Sequence, residues 1–256
     1  MKKIKTRHVY NLKSDPVDHR DYVMVEPPRL GPLPLSVDLR AGMPPVYDQT
    51  QLGSCTAQAL AAALDYAHKK STGKDFFNPS RLFIYYNERM MEGNPGEDSG
   101  ACLRDGIKSV NEQGACAETT WPYVISQFAL KPPPAAYTEA ENFQAVSYQR
   151  VPLFPTMIKS VLASGTPFVV GITVYESFES TEVASTGIVP MPDTQREKCL
   201  GKHAVICCGY DDTKQLFLFR NSWGTAWGQS GNFWLPYQFV VNPGLTADAW
   251  AINQAE

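Results

Sequence analysis

Three residues of this chain have the types that acyl-transfer chemistry needs: Cys55 as nucleophile, His203 as base and Asn221 as an amide to orient the base. Cys55 follows Gly53 and Ser54, and Ala57, Leu60, Ala61, Leu64 and Ala67 then recur at helical spacing, so the cysteine falls in the first turn of a helix. Unpaired backbone amides and the positive end of the helix dipole favour a thiolate there, and the thiolate is the reactive form. The base must be a histidine, and the candidates are His8, His19, His68 and His203. His68 lies thirteen positions along the same helix, which places it about 20 Å from the sulfur. His8 and His19 belong to a polar stretch with no apolar repeat and are expected to be solvated side chains. His203 remains.

The elements that must hold these groups follow from the surrounding pattern. His203 opens the apolar, partly β-branched run 204–210; Asp211, Asp212, Thr213 and Lys214 interrupt it, and Leu216, Phe217, Leu218 and Phe219 resume a strand. This is the pattern of a β-hairpin. With the turn centred on residue 212, Asn221 stands opposite His203 with Cα atoms about 4.5 to 5.5 Å apart, close enough for the amide to reach the ring. A one-residue change in the turn would make that contact diagonal or send one side chain to the other face.

The string GSC at 53–55, HAV at 203–205 followed by Gly209 and Tyr210, and NSWGTAWG at 221–228 resemble the three signature regions of papain-like cysteine peptidases. The order Cys, His, Asn and the 148 positions between Cys55 and His203 fit that family, and VDLR at 37–40 is similar to the start of its mature domain. The resemblance covers residue 35 to the C-terminus, in the manner of compact bacterial members with a short N-terminal extension. It implies an α+β, papain-like two-lobe fold: a helical lobe at about 50–130, an antiparallel β-sheet lobe at about 140–256, and an active-site cleft between them.

The resemblance also implies a cysteine-dependent peptidase that works through a thioester acyl-enzyme on peptide or protein substrates. Cys55 would be the nucleophile, His203 the base and then the acid, and Asn221 the group that orients the imidazole. Gln49 would share the oxyanion hole with the Cys55 amide. Trp223 would cover the His203–Asn221 contact, and Gly100 would pair its backbone with extended substrate. Endopeptidase action is expected, because no spare histidine pair lies between the catalytic residues to hold a substrate carboxylate. The alternatives are an amidase or acyltransferase with the same triad, or an inactive homologue that binds peptides. Departures from the family pattern are Leu52, commonly Cys; Thr56, commonly aromatic; Lys202, a cation expected to lower the His203 pKa; and Ala101, in place of a bulky pocket wall.

Composition adds constraints. The 256 residues are 43% apolar with a net charge of -3 and no dense basic run, so nucleic acid is not an expected partner and a monomer is. No apolar stretch approaches the roughly 20 residues of a membrane span. The start MKKIKTRHVYNLK has charge but no apolar region after it, so no export signal is read and the location of the protein stays open. Cys102 and Cys116 flank a helical run, and Cys207 and Cys208 point to opposite faces of a strand, so no disulfide framework is expected. Cys199, His203 and Cys207 have a metal-like spacing, but a strand does not converge them, and neither metal nor cofactor is expected.

Residues 1–34 form a polar, proline-punctuated leader. It is either a solvated tail or a short prosegment that docks on the chain's own cleft, Tyr22–Val25 supplying an extended apolar patch and Pro27–Pro34 the hinge that lays it near Cys55. Tethering would keep even a weak docking site occupied.

Overall fold

The computed structural model describes residues 8–27 and 31–256. The charged start at 1–7 and part of the Pro27–Pro34 hinge, residues 28–30, lie outside the described residues. In chain order the elements are β1 (Ser36–Asp38), α1 (Cys55–Thr72), α2 (Arg81–Met91), α3 (Leu103–Glu112), α4 (Pro134–Ala140), β2 (Ala145–Arg150), α5 (Pro155–Ala163) and β3 (Phe168–Tyr175). They continue with α6 (Thr181–Thr186), β4 (Cys199–Asp211), β5 (Leu216–Arg220), β6 (Asn232–Pro236), α7 (Tyr237–Val240) and β7 (Thr246–Ala255). The strands form one antiparallel sheet in the order β2-β7-β3-β4-β5-β6, with β1 added to β4.

Two apolar layers sandwich this sheet. Val169, Ala204, Ile206 and Cys208 face α1, α2 and α3, whereas Phe168, Val170, Val205 and Cys207 face a second core with α5. The alternation is the period of two that a strand imposes, and it sends Cys207 and Cys208 to opposite layers. Helix α1 is buried along most of its length, since its alanines let the sheet and α2 approach closely. It ends at Gly73, whose φ of +71° supplies the left-handed cap. Ser80 caps α2 by accepting the Phe83 amide at 3.1 Å.

The hairpin register differs from the expected one. Strand β4 pairs Asp211 with Leu216 and Tyr210 with Phe217, and a bulge between Cys207 and Gly209 shifts the ladder so that Ile206 meets Arg220. The turn is later than expected because Asp211 Oδ1 accepts the Thr213 and Lys214 amides and Gln215 takes φ +56°. Continued without the bulge, this register would put His203 and Asn221 on opposite faces. The single extra residue restores a common face, and the two side chains meet diagonally.

Candidate active site

Cys55 is the first residue of α1, fully buried, with the backbone amides of Ala204, Thr56 and Cys55 itself directed at its sulfur. Ala204 directly follows His203, so the Cys55 end of α1 lies against the His203 stretch of β4. The His203 Nε2 lies 2.8 Å from Asn221 Oδ1, and that same oxygen accepts the Ser222 amide at 2.8 Å. A backbone N–H can only donate, so the Asn221 atom facing it is the oxygen, and the proton of neutral His203 sits on Nε2. The other nitrogen, Nδ1, is left as a lone pair, and it has no hydrogen-bond partner among the described residues.

Gln49 is buried beside this pair. Its Oε1 accepts the Ser222 hydroxyl at 2.7 Å, its Nε2 donates to the Leu52 carbonyl at 3.1 Å, and its own amide donates to the Ser222 carbonyl at 2.9 Å. An amide nitrogen has two N–H groups, so one remains for another acceptor. The Trp223 ring stacks on His203 with centroids 5.2 Å apart. Gly100 stands across the cleft with φ +65°, and a Cβ there would come within 2.0 Å of the Asn11 carbonyl oxygen. All six sequence-derived site residues therefore line one region.

Burial changes the protonation expected at the helix start. It pushes the Cys55 thiol up to about 12, against the opposing pull of the Ala204 amide, and lowers His203 to about 4. The helix-start argument alone favoured a thiolate; removal of water outweighs the helix terminus in this closed arrangement. The lowered His203 was expected from Lys202, but burial is the main cause and the charge of His8 the lesser one.

The papain family cysteine protease profile matches residues 33–249. The chain belongs to the papain family. It is 44% identical over 215 residues to an uncharacterized peptidase C1-like protein of Acanthamoeba polyphaga mimivirus, covering 81% of this chain and 69% of that one. Mouse cathepsin K is 27% identical over 208 residues, covering 78% of this chain and 59% of that one; the chain thus spans less than two thirds of the cathepsin's length. Among solved structures it is similar to xylellain, a cysteine protease from Xylella fastidiosa, with TM-score 0.89, 39% identity and 96% of each chain covered. Procathepsin L 3 of Tenebrio molitor shares the fold at TM-score 0.74 and 21% identity, with 94% of this chain and 75% of that one covered.

Against this family background the leader is the main surprise. Tyr22–Val25 pairs with β2 instead of the cleft: the Met24 amide donates to the Arg150 carbonyl and the Arg150 amide to the Tyr22 carbonyl, each at 2.8 Å, and Tyr22, Val23 and Val25 stay exposed. The edge strand β2 offers unpaired backbone groups, and this segment pairs with them. Residues 8–13 line the site instead. His8 stacks on Trp223 at 3.9 Å and is not solvated as expected; Tyr10 lies edge-on to His203 at 6.0 Å and its hydroxyl donates to Glu179. The Leu12 amide donates to Lys202 at 3.3 Å and the Lys13 amide to Ala101 at 3.0 Å, one bond to each wall. Ser222 and Tyr123, the latter bonded to Ser54 and the Gln49 carbonyl, also escaped the sequence reading. Only Ser222, inside the NSWG string, carried a signal.

Thr56 donates to the buried Glu88 carboxyl, which explains how α1 tolerates a small residue behind the nucleophile. The six cysteines are all unpaired. Glu92, Cys102 and Asp105 are near enough to share an ion, but Glu92 is already bound to Lys13 and to the Cys102 amide. No helix among the described residues is long and apolar enough to cross a membrane.

Proposed function

We propose that this cysteine peptidase is an endopeptidase in which Cys55, His203, Asn221 and Gln49 carry the reaction and residues 8–13 hold the cleft closed. The observation that supports the triad most strongly is the Asn221 oxygen, which accepts both the Ser222 amide and His203 Nε2. The proton on Nε2 makes Nδ1 the basic nitrogen, on the side of the ring left for the thiol. His203 Nδ1 takes the Cys55 proton, and the thiolate attacks the peptide carbonyl. The developing oxyanion is met by the Cys55 N–H and the Gln49 Nε2–H, donors fixed before reaction and worth about 3 to 4 kcal/mol. The imidazolium then protonates the leaving amine, and water activated by His203 releases the thioester. Trp223 keeps water from the His203–Asn221 bond, and the Gly100 backbone pairs with the substrate strand. The helical and sheet lobes meet along this cleft, and no observation favours an amidase or acyltransferase.

The inhibitory reading of the leader is supported by Tyr10 on His203 and by the two backbone bonds that span the cleft, and it moves the docking segment from 22–25 to 8–13. Labelling with an epoxysuccinyl inhibitor followed by peptide mapping tests the reading. Modification at Cys55 together with turnover of an internally quenched peptide is the expected outcome. Labelling elsewhere, or faster cleavage of free than of amidated C-termini, would contradict it.

A further inference from the structure

Leu52 stands where the family commonly carries a cysteine, and no disulfide ties the nucleophile loop to the loop that carries Gly100. Their spacing is nevertheless set by two side chains. The Asp98 carboxylate accepts the Gly53 amide through both oxygens, at 3.0 and 3.2 Å. Tyr85, fully buried in α2, donates its hydroxyl to the same carboxylate, and the phenol oxygen accepts the Gly100 amide at 3.2 Å. A continuous path of hydrogen bonds therefore runs from Gly53, two residues before Cys55, through Asp98 and Tyr85 to Gly100.

The chemistry of each member suits its place. A carboxylate can accept several donors at once, and hydrogen bonds to an ionised acceptor are the strong ones. A phenol has one proton to give, here to Asp98, and keeps a lone pair for Gly100. Burial and the adjacent carboxylate push the Tyr85 pKa well up, so the phenol keeps that proton. Tyr123 holds the same nucleophile loop at Gln49 and Ser54. Gly53 is fixed separately, by Asp98. The two loops face a common space: a Cβ on Gly53 would meet the Asn11 side chain at 2.2 Å, and one on Gly100 would meet the Asn11 backbone.

We propose that Asp98 and Tyr85 are positioning residues that set the distance between the substrate-pairing Gly100 and the nucleophile loop, in place of a covalent tie. This rests on the reading of Cys55 as nucleophile and Gly100 as the backbone partner of substrate. The two halves of the path have separable consequences. Gly53 leads into the Cys55 amide, which acts on the transition state, so loosening it lowers kcat. Gly100 holds the substrate strand before and during reaction alike, so loosening it raises KM.

The test is steady-state kinetics per titrated active site on the full chain, with Tyr10→Gly as a common background to weaken the leader's hold, and with Tm measured on each variant. Tyr85→Phe keeps the buried ring, frees Gly100 and takes one donor from Asp98 while leaving the Gly53–Asp98 bond in place; KM rises about tenfold with kcat within about twofold. Asp98→Ala frees both loops; kcat falls about tenfold and KM rises as well. Asp98→Asn retains an oxygen for Gly53 and returns kcat towards the parent value. Kinetic constants within about twofold of the parent for both Tyr85→Phe and Asp98→Ala would overturn the proposal, as would a lower Tm and active-site titre with unchanged constants per site. A parent enzyme that turns over no peptide would overturn the peptidase reading and the clamp with it, whereas an active parent with unchanged variants would overturn only the clamp.

Discussion

The two ends of the leader bind the same domain by different means. Residues 8–13 lie over the catalytic groups through partly exposed ring contacts and two backbone hydrogen bonds of 3.0 and 3.3 Å. Residues 15–24 are bound by buried charge. Arg104, with its side chain 2% exposed, pairs with Asp21 and donates to the Pro16 carbonyl; Arg150 reaches Asp21 and Asp248; and the Asp15 carboxylate accepts Trp250 Nε1 at 2.7 Å and the Arg104 amide at 2.9 Å. In the proposed inhibitory reading the first segment plugs and the second anchors. A plug that must leave for activity is better held weakly, and an anchor a few residues away keeps its local concentration high enough for weak contacts to suffice. Buried ion pairs are poor guides to net stability, but they fix one register strictly, and register is what decides which residue reaches Cys55.

The largest effect should come from the group under the plug. Cys55→Ala is expected to remove turnover by at least about 10⁴-fold with Tm nearly unchanged, and no leader change should restore it. Wild-type rates in the purified variant would dissolve the distinction between plug and anchor, since nothing catalytic would lie beneath the plug. Arg104→Ala comes next. It strips Asp21 and Pro16 of a buried partner, costing about 3 kcal/mol, and frees the anchor, so kcat/KM of the full chain should rise about threefold to tenfold as effective concentration falls. Unchanged activity with a lowered Tm would show that the plug holds without its anchor.

Acid should loosen the segment at residues 8–13, whereas burial raises the Asp15 carboxyl at the other end, so that protonation there favours the bound form. His203 is held near 4 in the covered site, below its ordinary 6.5, so the closed state favours the neutral ring. That contribution is complete above about pH 6.5 and is lost as pH falls towards 4, where protonation favours a hydrated, open site. Burial lowers the His8 pKa as well, in the same direction. Amide exchange at residues 9–13 should therefore quicken relative to residues 22–25 between pH 7 and 4.5, after correction for intrinsic rates. Equal protection changes at the two ends would contradict this.

The smallest effect is expected at Val23. Val23 is 57% exposed on the anchor, so Val23→Asp should leave kcat/KM within about twofold. A large gain would return the apolar patch to the role that composition suggested for it.

How far the sequence could be read depended on whether a signal was periodic or depended on cover. Helix α1, the β4–β5 hairpin and the pairing of His203 with Asn221 all carried repeating apolar positions or paired motifs. The hairpin register was misplaced because the bulge at Cys208 was marked only by Gly209, a single glycine inside the strand run. The state of Cys55 was reversed because the helix start is visible in sequence but the burial over it is tertiary. His8 and Tyr10 were missed because polarity ranked the leader's segments, while rings and backbone edges determined where each one bound. Asp98 and Tyr85 gave no signal, since their partners are each other and two backbone amides that only the fold brings together.

The most direct test compares the full chain with one beginning at Leu35, at equal active-site titre, on a small peptide substrate. The account predicts that kcat/KM rises at least about tenfold on removal of the leader, with the gain cancelled by adding residues 8–27 as a free peptide at millimolar concentration. Equal kcat/KM for the two chains would contradict it.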